Sequence, residues 1–327
     1  MIWENVVAGL PKIGIALAAV AAFLGLLLIV FFALGRVRGK FANPLAGVMF
    51  LGPAILLLII GLVVPTIQTI TKSFFNASGQ KFIGLANYGW IFTTDNNQKV
   101  LINTALWIIV APIFSTAVGL LLALLLDKMK RESIPKSLIF MPMAISFVGA
   151  SIIWGLVYAY RDPSQEQVGL LSQIVMWLGM EPPNWLLLQP WNNFLLMVIM
   201  IWIQTGFAMV VLSAAIKAIP NDVIEAATLD GARGWRLFSR VTIPMVRTTL
   251  IVVFTTILIA TLKIFDIVRV MTNGNFGTQI VANEMYSQAF VQFDVGRGSA
   301  LAVILFLGVI PIVSYNIVQL KKERAVR

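Results

Sequence analysis

The chain has 327 residues, 59% of them hydrophobic and 12% charged, with a mean hydropathy of +0.91 and a formal net charge of +10. A soluble domain with that much apolar surface would aggregate, so the composition defines an integral membrane protein. Cysteine and histidine are absent, which removes thiolate chemistry, Cys/His zinc sites, His-based proton relays and Ser-His-Asp catalysis.

The first uncharged apolar run, residues 13–34, is long enough to cross a hydrocarbon core of ~30 Å at ~1.5 Å per residue. Arg36, Arg38 and Lys40 follow it, and it is too long for the core of a secretory signal. A retained helix with its amino terminus outside is expected. Gly39-Lys40 is the one Gly-Lys pair and Phe41 follows it, so the chain has no phosphate loop of the Gly-x-x-x-x-Gly-Lys-[Ser/Thr] type.

The second run, 45–70, holds Pro53 and Pro65 but no charge; prolines are tolerated in membrane helices where neighbours re-satisfy the freed carbonyls. A polar segment, 72–99, contains Phe82-x-Gly84-Leu85-x-Asn87-Tyr88, which by itself reads as an aromatic interfacial turn. The third run, 100–126, carries Asn103 and Pro112 and ends in the stretch 127–136, with Lys128, Lys130, Arg131 and Lys136. The fourth runs from 137 to about 158 as one span.

In the segment 161–193 acidic residues outnumber basic ones. Residues 170–180 are too few to span and read as an interfacial or re-entrant helix broken by Pro182-Pro183. Trp177, Trp185 and Trp191 fit an aromatic belt. The fifth run is 194–216. The sixth starts at Thr248 and meets its first charges at Lys263 and Asp266. The seventh is 299–320, before the tail Lys321, Lys322, Arg324 and Arg327.

Between the fifth and sixth runs lies a stretch that is polar where its neighbours are apolar. Asp222 and Glu225 have capping-box spacing, so a short helix is expected to start there and to end at the turn dipeptide Asp230-Gly231. A second short helix is expected over about 232–241, loaded with Arg233, Arg236 and Arg240. Ala226 and Ala227 let another surface approach the first helix closely. Taken alone, the stretch also reads as a loop resting on lipid headgroups.

Sixteen of the 24 Lys and Arg residues fall in four segments: 36–40, 128–136, 217–247 and the tail. This bias places those segments in the cytoplasm and accounts for the basic charge with no nucleic-acid partner.

Glu225-Ala226-Ala227, then Gly231 after three residues, then Val241-x-Ile243-Pro244, resembles the cytoplasmic loop of binding-protein-dependent ABC importer permeases, with Val-x-Ile-Pro standing for the usual Ile-x-Leu-Pro. Phe82-x-Gly84-Leu85-x-Asn87-Tyr88 resembles the sequence before the core helices of sugar-type permeases. Met271-Thr272-Asn273-Gly274 resembles the family's Leu-Thr-x-Gly-Gly-Pro turn, departing from it at Asn275-Phe276. Over about residue 45 to the end, length and motif order are most similar to sugar importers related to the maltose-transporter and alpha-glucoside permeases.

The resemblance implies an all-α permease fold of about seven transmembrane helices in the plasma membrane of a prokaryote, the inner membrane in a Gram-negative cell. The expected layout is an extra helix and cytoplasmic link at 1–44, a second helix and extracytoplasmic segment at 45–99, a permease core at 100–320 with the coupling loop at 221–244, and a basic cytoplasmic tail at 321–327. The implied partners are a second permease subunit, two ATPase subunits, an extracytoplasmic substrate-binding protein and the lipid bilayer. ATP and Mg would be bound by the ATPase, so this chain is expected to hold no cofactor and to be no enzyme. It would form half of the path for a sugar, such as an oligosaccharide or alpha-glucoside, by alternating access.

By the same resemblance, Glu225, Ala226, Ala227, Asp230, Gly231 and Pro244 are the ATPase-coupling residues, and the helix after the loop lines the path. Lys263 lies ~22 Å across the bilayer from Thr248. Lys263 and Asp266, three apart, can share a helix face and meet sugar hydroxyls, with Phe265 or Phe207 as an apolar ring; a simple anchoring salt bridge is the competing reading. Gln204, Gly206 and Thr261 join them for polarity or backbone access. A secondary transporter or channel without an ATPase partner is the alternative, opposed by the near absence of ionisable residues in the runs before Lys263. A membrane-embedded enzyme or assembly subunit is disfavoured by the missing His and Cys.

Overall fold

The computed structural model describes residues 51–162 and 164–326, with isolated positions between 14 and 28. Most of the expected helix 13–34 and the basic cluster after it lie outside the described residues. The chain divides into two compact units, 1–68 and 69–327.

Helix α1 (Leu51–Lys72) carries a π turn at Ile59–Val63. The second unit holds α2 (Ala86–Thr93), α3 (Asp95–Leu126), α4 (Ser133–Phe140), α5 (Phe147–Val157), α6 (Leu170–Trp177) and α7 (Trp191–Lys217). It continues with α8 (Asn221–Leu229), α9 (Trp235–Leu262), α10 (Asp266–Met271), α11 (Val281–Tyr286) and α12 (Val295–Val326). Among the described residues the one β feature is an isolated bridge between Phe75 and Phe82. The fold is thus all-α, as backbone satisfaction in lipid requires. Five described helices are long and apolar enough to cross a membrane, and six if α4 and α5 make one broken span; the expected seven are not reached within the described residues.

Two expected spans change form. The fourth run is not one helix: α4 gives way to a 3₁₀ turn at Met141–Ala144, and α5 departs at 106°. Pro142 sits in that turn, where its ring cannot continue an α-helix, and Ser146 caps α5 by accepting the Gly149 N–H at 3.0 Å. The expected helix over 232–241 and the sixth run are instead one element, α9. A π turn at Phe238–Thr242 precedes Pro244, and its wider spacing accommodates a residue with no N–H to donate. The interfacial helix α6 stops before Pro182-Pro183, at Gly179 with φ +77°. Of the three belt tryptophans, Trp177 and Trp191 are exposed, while Trp185 donates its Nε1–H to Ser172 Oγ at 2.9 Å.

The core is built on α3 and α7. A Cβ on Gly119 would stand 2.4 Å from Ala208 Cβ, so only glycine lets these helices cross so closely. Buried Trp107 of α3 lies in one apolar cluster with Leu196, Met197 and Met200 of α7 and donates to Asn193 Oδ1 at 3.0 Å. The Phe82–Tyr88 sequence is a tie and not merely a turn. Asn87 Nδ2 donates to the carbonyls of Ser73 and Phe75, and Tyr88 Oη meets Ser73 Oγ at 2.7 Å. Gly296 of α12 packs against the same strand of chain: a Cβ there would lie 2.1 Å from Phe75 O.

Candidate functional site

The chain leaves α7 through Ala218–Pro220 and forms α8 at once. Pro220 is the N-cap, and no side chain caps the helix. Asp222 therefore falls inside the first turn, where its charge still favours the positive helix end, and the expected capping box between Asp222 and Glu225 does not form. Glu225 is exposed and bonds no described side chain.

The expected end of α8 at Asp230-Gly231 is present. Ala232 N–H bonds Ala227 O at 2.9 Å and Gly231 N–H bonds Thr228 O at 3.0 Å, with Gly231 at φ +84°. This paired arrangement is a Schellman turn, which needs a left-handed residue at the position Gly231 occupies. The result is a short helix standing clear of the bundle, with Ala226 exposed, Ala227 half-buried and Leu229 89% exposed. Trp235, 74% exposed, opens α9 and stacks on Phe238 at 5.1 Å; Arg233, Arg236 and Arg240 are exposed beside it.

The expected path residues are not brought together. A Cβ on Gly206 would lie 2.5 Å from Ile139 O and 2.8 Å from Phe140 Cα, so this glycine lets the backbone of α4 seat on α7, and its own backbone is not open to a solute. Thr261 is 1% exposed and donates to Ile257 O at 2.8 Å, which commits its hydroxyl to its own helix. Phe207 packs against the cluster of Leu212, Val253 and Ile257. Gln204, half-buried, stays without a hydrogen bond to a described residue.

Lys263 and Asp266 do not share a helix. α9 ends at Leu262, Ile264 N–H bonds Thr261 O at 3.0 Å, and the buried Ile264 side chain turns the chain into the core before α10 starts at Asp266. Lys263 is exposed and Asp266 half-buried, and neither forms an ion pair among the described residues. The expected pair and its competing reading as an anchoring salt bridge both give way to this break.

Beyond the break, Phe265 meets residues the sequence did not single out. Phe265 lies 4.9 Å from Tyr286, Tyr286 lies 5.1 Å from Phe290, and the Arg269 guanidinium sits 4.7 Å over the Tyr286 ring. The i,i+4 spacings Phe265/Arg269 and Tyr286/Phe290 were the available signal. Asn273 accepts from Arg269 at 2.5 Å, and the Thr272–Thr278 hydroxyl contact at 2.6 Å closes the 272–278 turn. A cavity of about 530 Å³ opens on another face of α7, lined by Trp154, Trp202, Thr205, Val118, Leu138 and Pro142 among others; Gln204, Gly206 and Phe207 do not line it.

The site is thus a bundle of long apolar helices with one short helix held out on a rigid turn, most of its side chains open to solvent. The chain belongs to the family of binding-protein-dependent transport system inner membrane components, which matches residues 115–326. It is a transport permease and not an enzyme. It is 50% identical over 279 residues to the osmoprotective compounds uptake permease protein GgtC of a Synechocystis strain, covering 85% of this chain and 100% of that one. It is 48% identical over 285 residues to the alpha-glucoside transport system permease protein AglF of Rhizobium meliloti, covering 87% and 85%. Among solved structures, a chain of a bacterial alginate ABC transporter in complex with an alginate-pentasaccharide-bound periplasmic protein has the same fold, with a TM-score of 0.71 at 20% identity over 82% of this chain and 91% of that one.

Proposed function

We propose that this chain is one of two permease subunits of an ATP-driven importer for an alpha-glucoside, coupled by α8 to two cytoplasmic ATPase subunits and supplied by an extracytoplasmic binding protein. The observation that carries the coupling reading is the exposed α8 on its Schellman turn, with Glu225 unengaged by any described residue. A helix with Ala226 exposed and a carboxylate without a partner among the described residues fits a groove that supplies a basic side chain. Ala226, Ala227 and Asp230 complete the docking face, Gly231 sets its angle, and Pro244 marks where the π turn hands over to the membrane helix. ATP and Mg belong to the ATPase subunits.

In this reading residues 221–244 and the carboxyl terminus are cytoplasmic, and the amino terminus and residues 72–99 are extracytoplasmic, as the positive-inside bias supports. The layout into 1–44, 45–99, 100–320 and 321–327 is retained. Gln204, Phe207, Lys263, Phe265 and Asp266 remain candidates for the path, with Lys263 and Asp266 acting separately at the helix break. The alpha-glucoside is supported by the 48% identity to the Rhizobium permease; the Synechocystis relative supports osmoprotective compounds as the second reading.

Purification in mild detergent tests the assembly: an ATPase and a second permease are expected to accompany this chain, whereas a lone homo-oligomer points to a channel or carrier. Uptake of labelled alpha-glucosides into proteoliposomes, competed by osmoprotective solutes, tests the substrate.

A further inference from the structure

At the basic end of the bundle five polar side chains from three elements meet. Lys136 of α4 donates from Nζ to Asp127 Oδ1, to Glu132 Oε2 at 2.9 Å and to Ser213 Oγ of α7 at 2.6 Å. Ser213 in turn donates to Asp127 Oδ1 at 2.6 Å, and Lys217, the last residue of α7, pairs with Glu132 Oε1. Ser213 and Lys217 are four apart and so share one face of α7. That face is tied at two levels to the link between α3 and α4. The inner level is largely enclosed, with Lys136 and Asp127 side chains 15% and 12% exposed; the outer is open, with Lys217 48% exposed.

The connection from α7 to α8 is short and stiff. Ala218 N–H bonds Ala214 O, Ile219 N–H bonds Ile216 O, Ile219 is buried, and Pro220 fixes the entry into α8. A displacement of α8 therefore passes to the end of α7 and not into a slack loop. From there the first side chains it meets are Lys217 and Ser213.

We propose that the Asp127–Glu132–Lys136–Ser213–Lys217 cluster is the joint through which movement of α8 is transmitted to α3 and α4, with Glu132 and Lys217 as positioning residues for coupling. The proposal rests on the reading of α8 as the ATPase-docking helix. Asp127 Oδ2 is buried and without a partner among the described residues, so the inner level has a second acceptor for the Lys136 or Ser213 proton as α7 shifts. The joint can thus change its bonding without uncovering a charge, which a two-position element requires. Glu132 and Lys217 are separated by 85 residues in sequence, so their pairing links segments that the chain itself does not hold together.

The test uses the whole transporter, with both permeases, ATPase and binding protein, in proteoliposomes. Glu132→Lys, Lys217→Glu and the double exchange are compared for solute moved per ATP hydrolysed and for ATPase retained through purification. Each single exchange is expected to keep the ATPase bound but to lower the transport-to-hydrolysis ratio several-fold, and the double exchange is expected to restore it. An unchanged ratio in the singles overturns the proposal, and so does a lowered ratio that the double exchange fails to restore. Should a single exchange reduce the amount of complex, Glu132→Gln and Lys217→Met make the same comparison without reversing a charge. Gly231→Asp is run alongside. If it releases the ATPase while the exchanges do nothing, the joint alone is wrong; if it leaves docking and transport intact, the docking reading of α8 is wrong.

Discussion

At the end of the bundle that carries residues 272–288, side-chain amides bond to distant parts of the chain, whereas the helix at 221–229 presents most of its polar side chains to solvent. Asn103 Nδ2 of α3 donates to the carbonyls of Gly277 and Gln279, and Asn192 Nδ2 of α7 donates to Phe276 O at 2.8 Å. Glu284, 7% exposed, accepts from Gln279 at 2.6 Å and Gln288 at 2.7 Å. In α8, by contrast, Thr228 alone bonds a described residue through its side chain, on its own helix at Ile224 O. Buried polar groups that are bonded fix one loop shape, and of those in this region Asn283 Oδ1 and Gln288 Oε1 lack a partner among the described residues. Exposed groups on a preset turn cost the free subunit nothing and stay available to a second protein. On the proposed reading of α8, the two regions divide structural from interactive polarity.

Glu284→Ala should give the largest loss of stability. It leaves the buried Gln288 donor without an acceptor, at roughly 1–3 kcal/mol, and the half-buried Gln279 donor at less. Thermal melting of the detergent-solubilised subunit should shift down by several degrees, and an unaltered melt would show that water reaches this network. Gly231→Val should act on function more than on stability. A β-branched residue at φ +84° costs about 1–2 kcal/mol locally, and the turn is expected to re-aim α8, so ATPase retention falls while the bulk of the subunit still melts near the wild-type temperature. Glu225→Ala is smaller again. It should leave the melt within about 0.5 kcal/mol of wild type and lower solute uptake and ATPase retention together; a lowered melt with unchanged retention would make Glu225 a structural residue.

The sequence showed these features unequally, for physical reasons. A bilayer demands long apolar runs, so the helices at 95–126 and 191–217 were legible as runs, but their ends were not. Asp95 to Lys99 continue α3 beyond its apolar part because a helix does not need apolar residues once it leaves the hydrocarbon core. The bend after α4 was hidden because Met141 to Ile145 are all apolar and hydropathy is blind to direction, leaving Pro142 as the one clue. Asp230-Gly231 was legible because the left-handed turn is a local requirement. Asn103, conspicuous inside an apolar run, is explained only by partners 174 and 176 residues away, a pairing no local pattern encodes. The pair Lys263–Asp266 failed for a similar reason: i,i+3 spacing presumes a continuous helix, and burial of Ile264 interrupts it.

The smallest expected effect is one of pH, and it sharpens the same division at the basic end. Hydrogen bonds from Lys136 first and Lys217 second hold the Glu132 carboxyl at about 2, below its ordinary 4.5. A carboxylate whose pKa is lowered on folding contributes its stabilisation in full above the unfolded value and loses it as pH falls toward the folded one. The Glu132 contribution should therefore be constant from about pH 8 to pH 5 and decline only below about 4.5. Because the pair with Lys217 is open to water, its size is modest and salt reduces it. The difference in melting temperature between wild type and Glu132→Gln, followed against pH at low and high salt, is the measurement. It should be flat through the neutral range, where the chain has no histidine to titrate, and should narrow in acid and in salt. A difference that changes between about pH 8 and 6 would mean that Glu132 is not held by these lysines, and the cluster would then belong with the unengaged polarity of α8 and not with the bonded kind.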